Sequence, residues 1–168
     1  MLAYTLLIAA VAVERVAELV VSQRNLKWSR AHGGVEFGAG HYPVMVVLHT
    51  GLLVGCLVEA AHREFIPALG WSMFAVAVAA QILRWWCITT LGHQWNTRVV
   101  VVPNAGRVTR GPYRLFSHPN YVAVVAEGIA LPLVHSAWIT ALVFTAANAV
   151  LLWVRISVEN KALESLTP

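Results

Sequence analysis

Arg155 and Glu159 stand four residues apart near the end of the chain, and Asn148 lies seven before Arg155, so in a helix all three share one stripe. A guanidinium one turn from a carboxylate forms an (i, i+4) pair at a helix end or, aligned with an amide, one wall of a ligand site. Upstream, Ser117-His118-Pro119-Asn120-Tyr121 places a proline suited to a first helical turn behind a histidine, where free backbone N–H groups can meet an anionic or polar ligand group. Near the start, Glu14, Arg15, Glu18, Ser22, Asn25 and Ser29 fall within a ~100° arc at 100° per residue. That arc is either a structural ion-pair seam or the wall of a polar cavity. Glu127, one heptad after Asn120, is open to the same two readings. The seven histidines show no HxxxH pair and have no cysteine partners in range, so no metal site is expected. Cys56 and Cys87 sit in apolar segments and read as small buried hydrophobes.

The elements that carry these residues belong to a membrane protein. Of 168 residues, 58% are hydrophobic and 12% charged, with a mean hydropathy of +0.66, which argues against disorder, a soluble enzyme core and a nucleic-acid tail. Crossing a hydrocarbon core of about 30 Å takes about 20 helical residues. Apolar stretches at about 1–21, 42–58 and 67–91 each suffice, the first being read as a retained span rather than a signal peptide. The stretch 121–156 is too long for one crossing and is interrupted at Leu131-Pro132-Leu133-Val134-His135-Ser136, giving a short fourth helix and a longer fifth joined by a tight turn. The expected fold is therefore all-α and integral to the membrane: five transmembrane helices, the last two a hairpin. Arg24, Lys27, Arg30, Arg98, Arg107, Arg110, Arg114 and Lys161 fall in connections on one side, and Arg63 alone on the other. Short cytoplasmic loops collect Lys and Arg, so the N-terminus is expected outside the cell membrane and the segment 92–120 in the cytoplasm, before helix four.

The stretch Gly111-Pro112-Tyr113-Arg114-Leu115-Phe116-Ser117-His118-Pro119-Asn120-Tyr121 resembles the GPYRxxRHPxY signature of the isoprenylcysteine carboxyl methyltransferase family. Arg155-Ile156-Ser157-Val158-Glu159-Asn160 resembles the RxxxEE element of that family, and Leu91-Gly92-His93-Gln94-Trp95 its LGxxW. Ser117 stands where the family usually has Arg, and Asn160 where it often has a second Glu. Glu14-Arg15-Val16-Ala17-Glu18-Leu19, Ser22-Gln23-Arg24-Asn25, Gly34-Val35-Glu36-Phe37 and His41-Tyr42-Pro43 are similar to the bacterial branch found beside type III polyketide synthases, which methylates long-chain alkylpyrones and alkylresorcinols.

The resemblance implies a single methyltransferase domain over 1–168, with three N-terminal spans in 1–91 and a cofactor-binding and catalytic half in 92–164. It implies S-adenosylmethionine as methyl donor, S-adenosylhomocysteine as product, and a lipophilic acceptor entering from the bilayer. Gln94, Val100, Val102, Tyr113, His118, Pro119, Asn120, Tyr121, Glu159 and Asn160 are the expected cofactor residues. Val100–Val102 would form an apolar slot, while the tyrosines, His118 and Glu159 would meet the polar ends. Arg155 would orient the acceptor oxygen, with Glu159 and Glu18 completing the catalytic set. Most of the acceleration of an in-line methyl transfer can come from alignment and exclusion of water. A carboxylate or acidic hydroxypyrone is already ionised near neutral pH, whereas a phenol needs a base, for which Glu18, His41 and His49 are candidates. Two alternatives stay open. Intramembrane sterol reductases carry a similar GPYxxxRHPxY segment and use NADPH, and Glu14, Glu18 and Glu127 would also suit a small scaffold or proton-conducting bundle.

Overall fold

The computed structural model describes residues 1–103 and 105–166; position 104 of the expected cytoplasmic segment and positions 167–168 of the expected domain lie outside the described residues. Five α-helices make up the fold: α1 (Leu2–Ala31), α2 (His41–Ala60), α3 (Pro67–Leu91), α4 (Pro119–Leu133) and α5 (Trp138–Leu166). Two short strands, β1 (Val35–Phe37) and β2 (Val99–Val101), pair antiparallel, with Val35 opposite Val101 and Phe37 opposite Val99. These strands depart from the all-α expectation. The ladder arises where the β-branched run Val99–Val102 meets the connection after α1. Gly33, at φ +78°, turns that connection, and its neighbour Gly34 donates to Ser29 O at 2.7 Å.

Three of the helical stretches, His41–Ala60, Pro67–Gln94 and Trp138–Glu164, are long and apolar enough to cross a membrane. The other two differ from the expected pattern for physical reasons. α1 has the length, but Glu14, Arg15 and Glu18 fall within its first eighteen residues. α4 has 15 residues, about 22 Å at 1.5 Å per residue. Its last turn contains Pro132, after which a tight turn with Ser136 at φ 58° leads directly into α5, so the helical hairpin forms where the interruption stands in the sequence.

The helices pack against one another as a bundle. At one end, Tyr4 Oη donates to Leu131 O (3.0 Å), and the Glu59 carboxylate accepts from Ile139 N (3.1 Å), Thr140 N (2.7 Å) and Thr140 Oγ1 (2.9 Å), so the close of α2 caps the free N–H groups opening α5. Tyr4, Ile8, Leu52, Cys56, Leu131 and Phe144 form the apolar core between that end and mid-bundle. Lipid tails are as apolar as these side chains, so close packing rather than release from water joins such helices. Gly128 shows the consequence: the Phe144 ring occupies the space a Cβ would need, which draws α4 against α5.

The middle is ionic. Arg84 on α3 donates to both Glu18 oxygens (2.5 and 2.8 Å), and Arg15 reaches Glu18 (2.7 Å), both Glu127 oxygens (2.9 Å each) and Gln81 (3.1 Å). Gln81 and the Trp85 indole donate to Glu14. The polar arc of α1 thus faces inward as its spacing requires, with Glu18, Ser22, Asn25 and Ser29 buried.

Candidate functional site

The end of the bundle where α3 stops and α4 begins holds a cleft of about 530 Å³, within the ~300–1,000 Å³ of ordinary small-molecule sites. The connection from α3 to α4 builds most of it. Asn25, buried on α1, donates to Gly92 O (3.0 Å) and Trp95 O (2.7 Å), and Ser22 bonds Thr97 through both its backbone N–H (3.0 Å) and its hydroxyl (2.8 Å). These bonds fix the start of the connection, so that β2 and Val102 face the cleft as an apolar wall. A 3₁₀ turn over Gly111–Arg114 brings in Tyr113, whose burial beside the Cys87 thiol pushes its phenol well above the ordinary range.

The polar wall comes from α4 and α5. Pro119 opens α4 with its ring where no N–H is required, leaving His118 as the flanking residue. His118 Nδ1 is 3.6 Å from Glu159 Oε1, its Nε2 is 3.2 Å from Asn160 Oδ1, and Tyr121 Oη donates to Glu159 Oε2 at 2.5 Å. Contact with the Glu159 carboxylate raises the His118 pKa above its ordinary 6.5, against the opposing effect of burial. The protonated form is thus favoured over that of a free imidazole, and it pairs with Glu159 at the cleft.

Arg155 sits deeper, 6% exposed. The (i, i+4) pair with Glu159 suggested by spacing does not form. Arg155 Nη2 instead donates to Thr97 O (2.9 Å) and Nη1 to the Met45 sulfur (2.7 Å), while Glu159 is drawn to His118 and Tyr121. No carboxylate pairs with this guanidinium among the described residues, and its Nε is buried without a partner.

Of the expected site residues, Gln94, Val100, Val102, Tyr113, His118, Asn120, Tyr121, Arg155, Glu159 and Asn160 all line this one cleft. Pro119 is buried in the first turn of α4 and acts on the cleft only through the helix it starts. Glu18 lies away from it, 2% exposed and held by Arg84 and Arg15. Other lining residues had no motif to mark them. Arg98, which pairs with Glu36 (2.6 Å) and lies 4.2 Å from the Tyr42 ring centre, is one; Leu163, one turn beyond Glu159, is visible only by extending the α5 stripe. The Thr97 carbonyl that orients Arg155 leaves no signal in side-chain identity.

Apolar helices of membrane-spanning length, with a polar cleft between the α3–α4 connection and the last turns of α5, define a membrane protein with a small-molecule site at one end of the bundle. The sequence pattern of the Isoprenylcysteine carboxyl methyltransferase (ICMT) family matches residues 73–165, more than half of the chain, and the chain belongs to that family. It is a membrane methyltransferase by that membership, and members of the family use S-adenosylmethionine. The uncharacterized protein YpbQ of Bacillus subtilis (strain 168) is 38% identical over 162 residues, 96% of each chain. An uncharacterized protein of Haemophilus influenzae is 24% identical over 170 residues, covering 100% of this chain and 99% of its own. No solved structure matches.

Proposed function

We propose that the chain is an S-adenosylmethionine-dependent O-methyltransferase whose acceptor is lipophilic: a long-chain alkylpyrone or alkylresorcinol hydroxyl, or an isoprenylcysteine carboxylate. The observation that carries this reading is the Arg155 guanidinium, buried at the cleft with no ion pair among the described residues and with one N–H unsatisfied. A buried cation is costly unless paired, and an oxygen carrying negative charge is the partner it lacks.

The cleft suits the donor in its chemistry. Asn120 Oδ1 lines it, buried and without a partner, and would accept from an amino or ammonium group. Val100 and Val102 offer an apolar face to adenine, Tyr113, Gln94 and Glu159 offer partners for hydroxyl and ammonium groups, and His118 offers a ring N–H to a carboxylate. The donor, when bound, supplies a methyl group on a positively charged sulfur. The chain's part is then to align the acceptor oxygen with that methyl, exclude water and hold the oxygen's charge with Arg155. In this reading residues 1–91 are the scaffold and 92–164 the catalytic half, the cleft faces the cytoplasm across the cell membrane, and the acceptor comes from the lipid phase.

Calorimetry on the purified chain tests the donor. S-adenosylhomocysteine is expected to bind far more tightly than NADPH, and the reverse order would overturn the methyltransferase reading in favour of a reductase.

A further inference from the structure

The segment from Phe65 to Ala126 contains no acidic residue, although it carries Arg84, Arg98, Arg107, Arg110 and Arg114. Counter-ions for these arginines have to come from elsewhere. Arg84 and Arg98 find theirs on α1 and β1, in Glu18 and Glu36. Arg107 lies within electrostatic reach of His118 at the cleft. Arg110 and Arg114, which flank the 3₁₀ turn, are exposed, and neither pairs with a carboxylate among the described residues. Two guanidiniums side by side in sequence are thus left to an anion from outside the chain.

Packing on α3 sets the height at which they stand. Gly111, at φ +57°, comes so close to α3 that a Cβ would lie 2.7 Å from Thr90 Oγ1 and 3.2 Å from Trp86 Nε1. Pro112 is buried and Tyr113 lies beside Cys87, so the inner side of the turn is docked on the last turns of that helix. With 25 residues α3 is about 37 Å long, more than a hydrocarbon core of about 30 Å, and its end reaches the headgroup layer. Trp85 and Trp86, 36% and 49% exposed, mark that level, where tryptophan is enriched. The outer side of the turn is apolar as well as basic. Leu115 N and Phe116 N both donate to Pro112 O at 3.1 Å, which closes the turn and leaves the two side chains 72% and 50% exposed outside any helix.

From this acid-free turn docked at the interfacial end of α3, we infer that residues 110–116 bind the headgroup of an anionic phospholipid in the leaflet at the cleft end. Arg110 and Arg114 hold its phosphate, whose oxygens match the N–H pairs of a guanidinium. Leu115 and Phe116 rest among the headgroups, still in reach of water from that side. A zwitterionic lipid carries its own cation against the phosphate and competes poorly for two arginines, so the site selects net negative charge. The turn supplies Tyr113 to the cleft, and its continuation supplies Ser117 and His118, so the lipid lies against one wall of the cleft. The site needs only a membrane at the cleft end and does not depend on the reaction carried out there.

The test places the full chain in phosphatidylcholine bilayers and reads, by electron spin resonance, how much spin-labelled phosphatidylglycerol or phosphatidylcholine is immobilised at the protein. The native chain is expected to favour phosphatidylglycerol by about fivefold or more, the equivalent of one arginine at an anionic lipid surface. Arg110→Gln combined with Arg114→Gln should remove that preference at an unchanged melting temperature, and either change alone should remove part of it; should the double variant melt lower, the single variants decide. Arg24→Gln combined with Lys27→Gln, which discharges exposed basic residues of α1 at the same end of the bundle, should keep it. Excess glycerol 3-phosphate should not displace the labelled lipid, because a headgroup confined to the bilayer meets the turn at a far higher local concentration. The inference is overturned by a native chain without preference, by a preference that survives loss of both arginines or that falls equally with Arg24 and Lys27, or by displacement with glycerol 3-phosphate, which would make the turn a site for soluble phosphate.

Discussion

Arg155 has every feature of a group waiting for an anion, and its replacement separates the two halves of the proposed site. Oriented electrostatic stabilisation of a developing charge is worth roughly 10²–10³ in rate where one donor has been removed. Arg155→Ala is therefore expected to lose turnover on that scale while S-adenosylhomocysteine affinity stays within about tenfold; affinity falling in step with turnover would move Arg155 to the donor side. His118 offers a pH signature. Its pKa is raised by Glu159, so the protonated form is favoured in the folded chain. The resulting stability is fully present below the ordinary 6.5 and disappears as pH climbs through the raised value. Melting curves from roughly pH 6 to 9 should show that loss in the native chain, and the native-minus-variant difference for His118→Gln should shrink to nothing at the alkaline end. A pH-independent difference would mean that His118 packs rather than pairs.

The middle of α1 joins its neighbours through charge, which changes what Glu18 is for. Placed on the inward stripe by spacing, it reads equally as base or as structural ion, and the structure commits both its oxygens to Arg84 and one also to Arg15. Removing one member of a buried pair strands the other, at about 3–5 kcal/mol. Glu18→Ala should therefore unfold at lower denaturant by that amount, and the fraction that stays folded should keep its S-adenosylhomocysteine affinity. Helices and stripes were legible in the sequence because period and proline placement fix them locally: the α4–α5 break, the Pro119 start and the inward arc of α1 all follow from spacing. The lining of the cleft was legible because nine of the expected cofactor residues, and Arg155, sit in short motifs or in the valine run, and all of these line it. Pairings were not. Arg155 prefers a backbone carbonyl 58 residues away to the carboxylate one turn along its own helix, and the β1–β2 ladder joins segments separated by the two helices α2 and α3. Such choices depend on which elements meet, and side-chain identity alone does not encode them.

The bundle's two ends differ in charge, and that difference sets its expected orientation in the membrane. Arg24, Lys27, Arg30, Arg98, Arg107, Arg110 and Arg114 cluster at the cleft end, whereas the opposite connection carries Arg63, itself paired with Glu59 at 3.1 Å. Basic residues in short connections are retained on the cytoplasmic side, so the cleft should open to the cytoplasm, where a water-soluble nucleoside donor is made and its product recycled. The two native cysteines are fully buried, which leaves the chain silent to thiol reagents and makes single added cysteines informative. His62 is exposed in the connection between α2 and α3, and Leu115, 72% exposed, follows the 3₁₀ turn beside the cleft. In intact cells, His62→Cys is expected to react with a membrane-impermeant maleimide and Leu115→Cys to react only after permeabilisation. The opposite pattern would put the cleft outside, away from any cytoplasmic donor. Equal reaction of both before permeabilisation would mean that the bundle does not separate two compartments along its long axis.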